Sequence, residues 1–201
     1  MRLYDFGADG PISYFVMEVV DGTSFVRRWR KIALPARLTI LAQVADALDY
    51  AHRQGVIHRD VKPSNILLSA ADLAKLSDFG LSMLAESPTE DSGTVRGTPH
   101  YMSPEQARGL RLDHRTDLYS LGVILYECAT GAPPYQGAVM SVLGQHVNST
   151  PEPPRSRRPE LSEGLEEMVL SLMAKRPGSV RAIAGSTPPS LSLMAPQRLS
   201  Q

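Results

Sequence analysis

The stretch of residues 58–80 constrains the fold of this chain more than any other part of the sequence. Residues 66–68 and residues 74–76 are two short apolar runs. Each run is long enough for one small strand, and a polar break at residues 69–72 separates them. A hairpin that joins the two runs would have one polar cluster leading into its first strand and a second cluster leaving its second strand. The sequence therefore predicts a β-hairpin that carries functional side chains at its entry and its exit.

The two polar clusters contain the residue types that phosphate chemistry requires. Asn65 and Asp78 offer hard oxygen ligands suited to Mg²⁺, which takes few protein ligands and leaves its other positions to phosphate and water. Lys62 can neutralise charge on a phosphoryl group that is being transferred. Asp60 can orient a hydroxyl group and accept its proton. These four residues are the candidate catalytic and metal-binding set.

The sequence His-Arg-Asp-Val-Lys-Pro-Ser-Asn at residues 58–65, followed by Asp-Phe-Gly at residues 78–80, resembles the catalytic and metal loops of protein kinases. The Lys-Pro-Ser-Asn part resembles serine/threonine kinases, and Ser-Pro-Glu-Gln at residues 103–106 resembles bacterial members. The resemblance covers about residues 1–176. It implies an α+β, protein-kinase-like fold with a mostly helical C-lobe and only the last two strands of the N-lobe.

The resemblance also implies ATP and Mg²⁺ as cofactors, with Asp60, Lys62 and Asn65 in catalysis and Asn65 and Asp78 on the metal. Four further residues are expected on the nucleotide, with Met17 as gatekeeper and the next segment as the hinge that contacts adenine: Met17, Glu18, Val20 and Leu67. A core strand with a polar exit remains the alternative interpretation of this region.

Residues 81–97 are polar and lack periodicity, which indicates a loop, and they resemble a kinase activation segment. Phosphate on Thr94, Ser92 or Thr89 could pair with the guanidinium of Arg59 and order the loop, and Thr94, then Ser92, is the favoured position. An ordinary solvated loop remains the alternative.

Three further residues are expected to have regulatory or structural roles through the resemblance. Thr98 would bond the catalytic aspartate and lysine, and Glu105 would pair with a distant arginine, for which Arg176 is the candidate. Asp117 lies in an apolar helix, and a buried aspartate must be satisfied. The resemblance implies that it accepts backbone hydrogen bonds from the catalytic loop.

Two histidines are interpreted as structural. His58 would be an attractive general base in isolation, but the resemblance implies that it stacks on Phe79. His52 falls on the apolar face of a predicted helix and is expected to pack there.

Hydrophobic periodicity and turn residues predict the remaining elements. Strands are expected at residues 3–6 and 12–19 with a turn at residues 8–10, and residues 150–159 are expected to form a connector. Helices are expected at residues 24–32, 35–54, 113–130 and 139–147 and around residues 165–173.

The chain contains no G-x-G-x-x-G motif, and its first lysine, Lys31, follows the hinge. The resemblance therefore leads us to expect a truncated N-lobe. Three parts are predicted: residues 1–20 as an N-lobe remnant, residues 21–176 as the C-lobe and residues 177–201 as a disordered tail rich in Ser, Pro and Ala.

The balance of charged residues and the cysteine content indicate which classes of binding partner and which cellular compartment to expect. Lys plus Arg and Asp plus Glu both number 21, so no overall field favours nucleic acid or membrane. Trp29 with its neighbouring arginines could suggest a nucleic-acid patch, but a solvated helix face with one packed aromatic is the preferred interpretation.

The single cysteine, Cys128, excludes an internal disulfide and leads us to expect a cytoplasmic protein. A protein substrate and ATP are the expected partners, with no nucleic acid and no membrane segment.

Two functional hypotheses follow. The first is a serine/threonine protein kinase that transfers the γ-phosphate of ATP to protein hydroxyl groups with Mg²⁺. The alternative is a truncated, catalytically inactive lobe that binds a protein partner. An upstream reading frame that encodes a glycine-rich loop and a strand lysine would distinguish the two.

Overall fold

Five short strands and one buried helix organise the computed structural model, which describes residues 3–10, 12–79 and 99–175. The strands are β1 (Leu3–Asp9), β2 (Ile12–Met17), β3 (Gly22–Ser24), β4 (Ile66–Ser69) and β5 (Ala74–Leu76). The α-helices are α1 (Phe25–Arg28), α2 (Leu34–Arg53), α3 (Pro104–Ala107), α4 (Arg115–Thr130), α5 (Val139–Asn148), α6 (Pro154–Arg157) and α7 (Glu163–Leu172). Short 3-10 turns occupy Trp29–Lys31, Pro63–Asn65 and Pro99–Tyr101. The predicted α+β class agrees with these elements.

Strands β1 and β2 form an antiparallel hairpin, as the sequence predicts, but the turn is shorter than expected. The sequence predicts residues 8 and 9 in the turn, but both pair with β2, with residue 8 opposite residue 13 and Asp9 opposite Ile12. Gly10 makes the reversal possible with a left-handed φ of 57°. Several large apolar side chains of the hairpin are exposed: Tyr4, Phe6, Tyr14 and Val16.

The second sheet has the order β3-β4-β5, and its β4–β5 hairpin is the one predicted from residues 66–76. The predicted helix at residues 24–32 is only partly correct. Its first residue belongs to β3, which pairs with β4, and a four-residue helix and a 3-10 turn follow. Trp29 is 4% exposed and packs under the guanidinium groups of Arg30 and Arg37, which agrees with a packed aromatic.

Helix α4 is the centre of the core, with most of its residues buried. Helices α2 and α7 pack against it with the apolar faces that the periodicity predicts. Burying one leucine side chain contributes about 1.5–3 kcal/mol relative to leaving it exposed, so the shared core stabilises this part of the chain. Cys128 belongs to the core, and burial raises the pKa of its thiol to about 12.

The other predicted boundaries differ from the observed ones by a few residues. Helix α4 begins at Arg115 rather than residue 113, because Asp113 accepts a hydrogen bond from the Arg115 backbone and precedes the helix. The expected connector at residues 150–159 contains α6, which Pro154 begins at its first turn. Among the described residues, no helix is long and apolar enough to cross a membrane.

Candidate active site

Three predicted catalytic residues converge just before strand β4. The Lys62 Nζ atom donates to Asp60 Oδ2 at 2.6 Å, and Asn65 Nδ2 donates to the same oxygen at 3.0 Å. Asn65 Nδ2 also lies 2.9 Å from the Asp60 carbonyl oxygen. Because both donors use Oδ2, the other carboxylate oxygen of Asp60 is engaged by neither side chain. The Asp60 side chain is 37% exposed, so a molecule from solvent can reach it.

The β4–β5 hairpin joins this cluster to Asp78. The Ser77 backbone N–H donates to the Asn65 carbonyl oxygen at 2.9 Å. The Ser77 hydroxyl lies 3.1 Å from that carbonyl oxygen and 3.2 Å from Asp78 Oδ2. Asp78 adopts a left-handed φ of 63°, a conformation that aspartate tolerates better than most residues. Ser77 thereby connects the two predicted metal-binding positions.

Asp117 is 0% exposed. Its carboxylate accepts hydrogen bonds from the backbone of the loop that carries Asp60. Its Oδ2 accepts from the His58 backbone N–H at 2.8 Å, and its Oδ1 accepts from the Arg59 backbone N–H at 2.7 Å. Arg59 has a φ of 68°, which is strained for a residue with a side chain. The two charge-assisted bonds stabilise that conformation. This geometry agrees with the structural role expected for Asp117.

The His58 side chain is buried, so it is not accessible to a substrate. Its ring instead connects the loop that carries Asp60 to the segment after β5. Its Nε2 atom lies 2.8 Å from the Ser77 carbonyl oxygen, which can only accept, so Nε2 carries the hydrogen. Its Nδ1 atom accepts from the Asp60 backbone N–H at 3.2 Å. Burial lowers the pKa of His58 and keeps the ring neutral. The ring lies 4.5 Å from that of Phe79 and is tilted by 50° to it, so the two rings are in contact, as the resemblance implies, but are not stacked in parallel.

The predicted nucleotide-contacting residues lie at the end of β2, in the segment that follows it and within β4. Glu18 forms an ion pair with Lys75 of β5. Lys75 lies directly opposite Leu67 across the β4–β5 pair, so this ion pair brings Glu18 to the β4–β5 hairpin. Met17 and Val20 are half-buried on either side of Glu18 in the chain.

The remaining predicted residues divide into two groups. Glu105 lies within the described residues, and its Oε1 atom accepts a hydrogen bond from the Thr116 hydroxyl at 2.8 Å. The expected regulatory or structural positions Ser92, Thr94, Thr98 and Arg176 lie outside the described residues, as does the predicted tail. Within the described residues the Arg59 Nε atom is buried without a hydrogen-bond partner.

Three residues that contribute to the site were not predicted. His52 Nε2 lies 2.7 Å from Asp117 Oδ2, so this histidine packs but also has a polar partner. Ser77 connects Asn65 to Asp78, as described above. Gln106 donates to the Arg59 carbonyl oxygen at 2.6 Å. The S-x-x-Q spacing of Ser103 and Gln106 is a capping-box signal that could have identified the start of α3, where both reciprocal bonds form.

Comparison with known proteins identifies relatives of one kind. A model of the protein kinase domain matches residues 1–184. The chain is 43% identical over 175 residues to the serine/threonine-protein kinase PknB of Mycobacterium tuberculosis, covering 84% of this chain and 28% of that protein. It is 38% identical over 182 residues to a probable serine/threonine-protein kinase of Clostridium acetobutylicum, covering 88% of this chain and 28% of that protein. The chain therefore spans 28% of the length of these relatives.

Proposed function

The chain belongs to the protein kinase family, and we propose that it transfers the γ-phosphoryl group of ATP to serine or threonine hydroxyl groups of proteins. One observation carries this proposal. The side chains of Asp60, Lys62 and Asn65 form one hydrogen-bonded cluster that Ser77 ties to Asp78. That arrangement offers a proton acceptor, a cation and two oxygen ligands within one short hairpin and its flanks. Phosphoryl transfer depends mainly on such positioning and charge stabilisation.

Asp60 is proposed to orient the acceptor hydroxyl group and to accept its proton. The hydroxyl oxygen forms a bond to the γ-phosphorus, and the bond between that phosphorus and the bridging oxygen breaks, so ADP leaves. Lys62, which already bonds Asp60 Oδ2, offsets the negative charge on the moving phosphoryl group. The proton of the hydroxyl group ends on the Asp60 carboxylate.

Asn65 and Asp78 are proposed to hold Mg²⁺. The donor set fits, because Asn65 directs its Nδ2 group at Asp60, and its amide oxygen, which accepts only a 3.4 Å bond from the Ser64 hydroxyl, has a second lone pair for a cation. Asp78 adds a carboxylate, and Mg²⁺ is usually bound through one or two carboxylates together with substrate phosphates. When bound, the ion would neutralise charge on the phosphate oxygens.

Residues 1–20 are proposed to be the end of the N-lobe and the hinge, with Met17, Glu18, Val20 and Leu67 on the adenine side. The ion pair between Glu18 and Lys75, the cross-strand neighbour of Leu67, supports this proposal. Residues 21–176 would form the C-lobe. Phosphate on Thr94 or Ser92 is proposed to pair with Arg59, whose buried Nε atom has no partner within the described residues.

A protein-binding module without catalysis is a second candidate function. The observation in its favour is the β1–β2 hairpin, where Phe6 is 71% exposed and Tyr4 is 58% exposed. Exposed apolar surface of this kind is typical of contact surfaces.

Calorimetric titration of the purified chain with ATP and Mg²⁺ tests the proposed metal and nucleotide site. We expect ATP binding to require Mg²⁺ and the Asp78→Asn substitution to weaken it by at least about tenfold. Removing a residue that only hydrogen-bonds a metal ligand already lowers metal affinity by about tenfold or more. Asp72→Asn is the matched control, because Asp72 lies in the same hairpin with a left-handed φ of 56°. Folded protein that does not bind ATP, or binds it equally well without Mg²⁺, would favour the binding module.

A further inference from the structure

A series of hydrogen-bonded polar side chains contacts α4 at Tyr119 and starts at the half-buried Lys175, just after α7. Lys175 Nζ lies 2.8 Å from the Tyr119 hydroxyl, 2.9 Å from the Tyr135 hydroxyl and 2.8 Å from the His146 carbonyl oxygen. The ammonium also lies 5.1 Å and 4.7 Å from the centres of the two tyrosine rings. Three oxygens and two aromatic faces therefore fix one cation.

The direction of each hydrogen bond in this chain follows from what each group can donate. An ammonium only donates, so the Tyr119 oxygen accepts from Lys175. The Tyr119 hydrogen is then directed at His146 Nδ1, 2.9 Å away. His146 Nε2 lies 3.0 Å from the His100 carbonyl oxygen, so Nε2 must carry the other ring hydrogen. The bonds run in one direction from Lys175 through Tyr119 and His146 to the His100 carbonyl.

This arrangement requires a neutral His146 ring, and the surroundings of the ring favour that state. The ring is 0% exposed, and burial, followed by the charge of Lys175, lowers its pKa to about 4. Neutral imidazole has one donor and one acceptor, which is what Tyr119 on one side and the His100 carbonyl on the other require.

The chain of bonds ends in residues 97–105, Gly-Thr-Pro-His-Tyr-Met-Ser-Pro-Glu, a stretch that resembles the segment of protein kinases that receives the protein substrate. Residues 99–105, here called the acceptor segment, lie between the catalytic loop and α5. Two successive carbonyl groups of this segment are held by different helices: His100 by His146 of α5, and Tyr101 by the Ser120 hydroxyl of α4 at 2.7 Å. Gln106 of α3 joins the end of the segment to Arg59. Because Arg59 directly precedes Asp60, the bond from Gln106 joins the acceptor segment to the loop that carries Asp60.

We propose that Lys175, Tyr119 and His146 are positioning residues that fix the His100 carbonyl and thereby set the affinity of the chain for its protein acceptor. This inference rests on the proposed function, since it requires that the chain transfers phosphate to a protein, and it adds that the acceptor segment binds that protein. None of the three side chains is proposed to touch ATP or to take part in proton transfer. Their removal is expected to change acceptor affinity and to leave nucleotide affinity as it is.

Two variants break the chain of bonds with little change in volume. Tyr119→Phe removes one hydroxyl group, and Lys175→Met removes the three donors but keeps an apolar stem. In the full chain with ¹³C- and ¹⁵N-labelled histidine, the His146 ring nitrogens should show the Nε2–H tautomer. Tyr119→Phe should shift the Nδ1 resonance and the ¹³C resonance of the His100 carbonyl. Unchanged resonances in Tyr119→Phe would overturn the inference.

Binding measurements then separate positioning from general packing. Fluorescently labelled myelin basic protein serves as the acceptor probe, and the affinity for ATP with Mg²⁺ is measured on the same samples. We expect Lys175→Met and Tyr119→Phe to weaken acceptor binding about tenfold, the value of one lost charge-assisted hydrogen bond, and nucleotide binding to stay within about twofold. His146→Gln, which keeps a donor and an acceptor, should bind the acceptor better than His146→Leu.

The control is Lys31→Met, because Lys31 is an exposed lysine of the 3-10 turn Trp29–Lys31. Equal acceptor affinity in the wild-type chain and Lys175→Met, or an equal loss of acceptor and nucleotide affinity, would overturn the inference. Neither readout requires phosphoryl transfer. A chain that binds the acceptor as expected but transfers no phosphate would therefore contradict the proposed function and leave this inference supported.

Discussion

At the scale of single residues, Asp117 has the largest expected effect on stability. It is fully buried and accepts hydrogen bonds from two backbone N–H groups and from the ring of His52. Asp117→Asn keeps the size but places an NH₂ group against one of these donors. We expect the free energy of unfolding to fall by about 2–4 kcal/mol, measured by urea denaturation.

The control for that prediction is Asp113→Asn, two residues before the same helix begins. Asp113 is exposed, and its carboxylate accepts a hydrogen bond from the Arg115 backbone, which asparagine can also do. We expect a change below about 0.5 kcal/mol. A similar loss in both variants would contradict the role assigned to Asp117.

The candidate site could be predicted at this scale mainly where its residues are close in sequence. Asp60, Lys62 and Asn65 belong to one loop, and a short hairpin carries Asp78 back to them, so spacing alone brings the four together. The bond between His52 and Asp117 joins residues 65 positions apart. Such a partner depends on how α2 packs on α4, which local sequence does not specify.

At the scale of elements, the contact between α4 and α7 depends on Gly122. A Cβ atom at this position would lie 2.7 Å from Leu172 Cβ and 3.1 Å from Met173 Cγ. We expect Gly122→Ala to lower the free energy of unfolding by about 1–3 kcal/mol, because the two helices must move apart. Thermal and urea denaturation measure the change.

The matched control is Gly144→Ala in α5. A Cβ atom there has no neighbour within 4 Å. Alanine stabilises a helix interior relative to glycine by about 0.5–1 kcal/mol, so the expected sign is opposite. Destabilisation by Gly144→Ala, or none by Gly122→Ala, would contradict the packing described for α4 and α7.

The long elements could be predicted and the shortest could not. Helices α2, α4 and α7 have apolar residues repeated at helical spacing, which defines them without tertiary information. Strand β3 has three residues and exists because it pairs with β4. Gly22 allows that approach, since a Cβ atom at this position would overlap the Leu68 carbonyl oxygen.

At the scale of the whole molecule, two buried neutral histidines make folding sensitive to acid. Burial lowers the pKa of His58, and burial with the nearby charge of Lys175 lowers the pKa of His146 from 6.5 to about 4. Below pH 6.5 the unfolded chain takes up protons that the folded chain does not. Stability is therefore lost as the pH falls from about 6.5 towards 4.

Between pH 7.5 and pH 5, His146 alone should account for a loss on the order of 2 kcal/mol in the free energy of unfolding. Urea denaturation at the two pH values measures this loss. We expect His146→Gln to reduce the pH dependence, whereas His114→Gln, at an exposed position, should keep it. An unchanged pH dependence in His146→Gln would show that His146 is not the responsible group.

The central claim concerns the reaction, and transfer of labelled phosphate tests it most directly. The purified chain would be incubated with γ-³²P-labelled ATP, Mg²⁺ and myelin basic protein, and the labelled amino acids identified after acid hydrolysis. Asp60→Asn removes the proposed proton acceptor, and Asp46→Asn changes an exposed aspartate of α2 as control.

We predict label on serine or threonine, a rate at least about 100-fold lower in Asp60→Asn, and an unchanged rate in Asp46→Asn. Equal transfer by Asp60→Asn, or no transfer by a folded chain that binds ATP and Mg²⁺, would contradict the account.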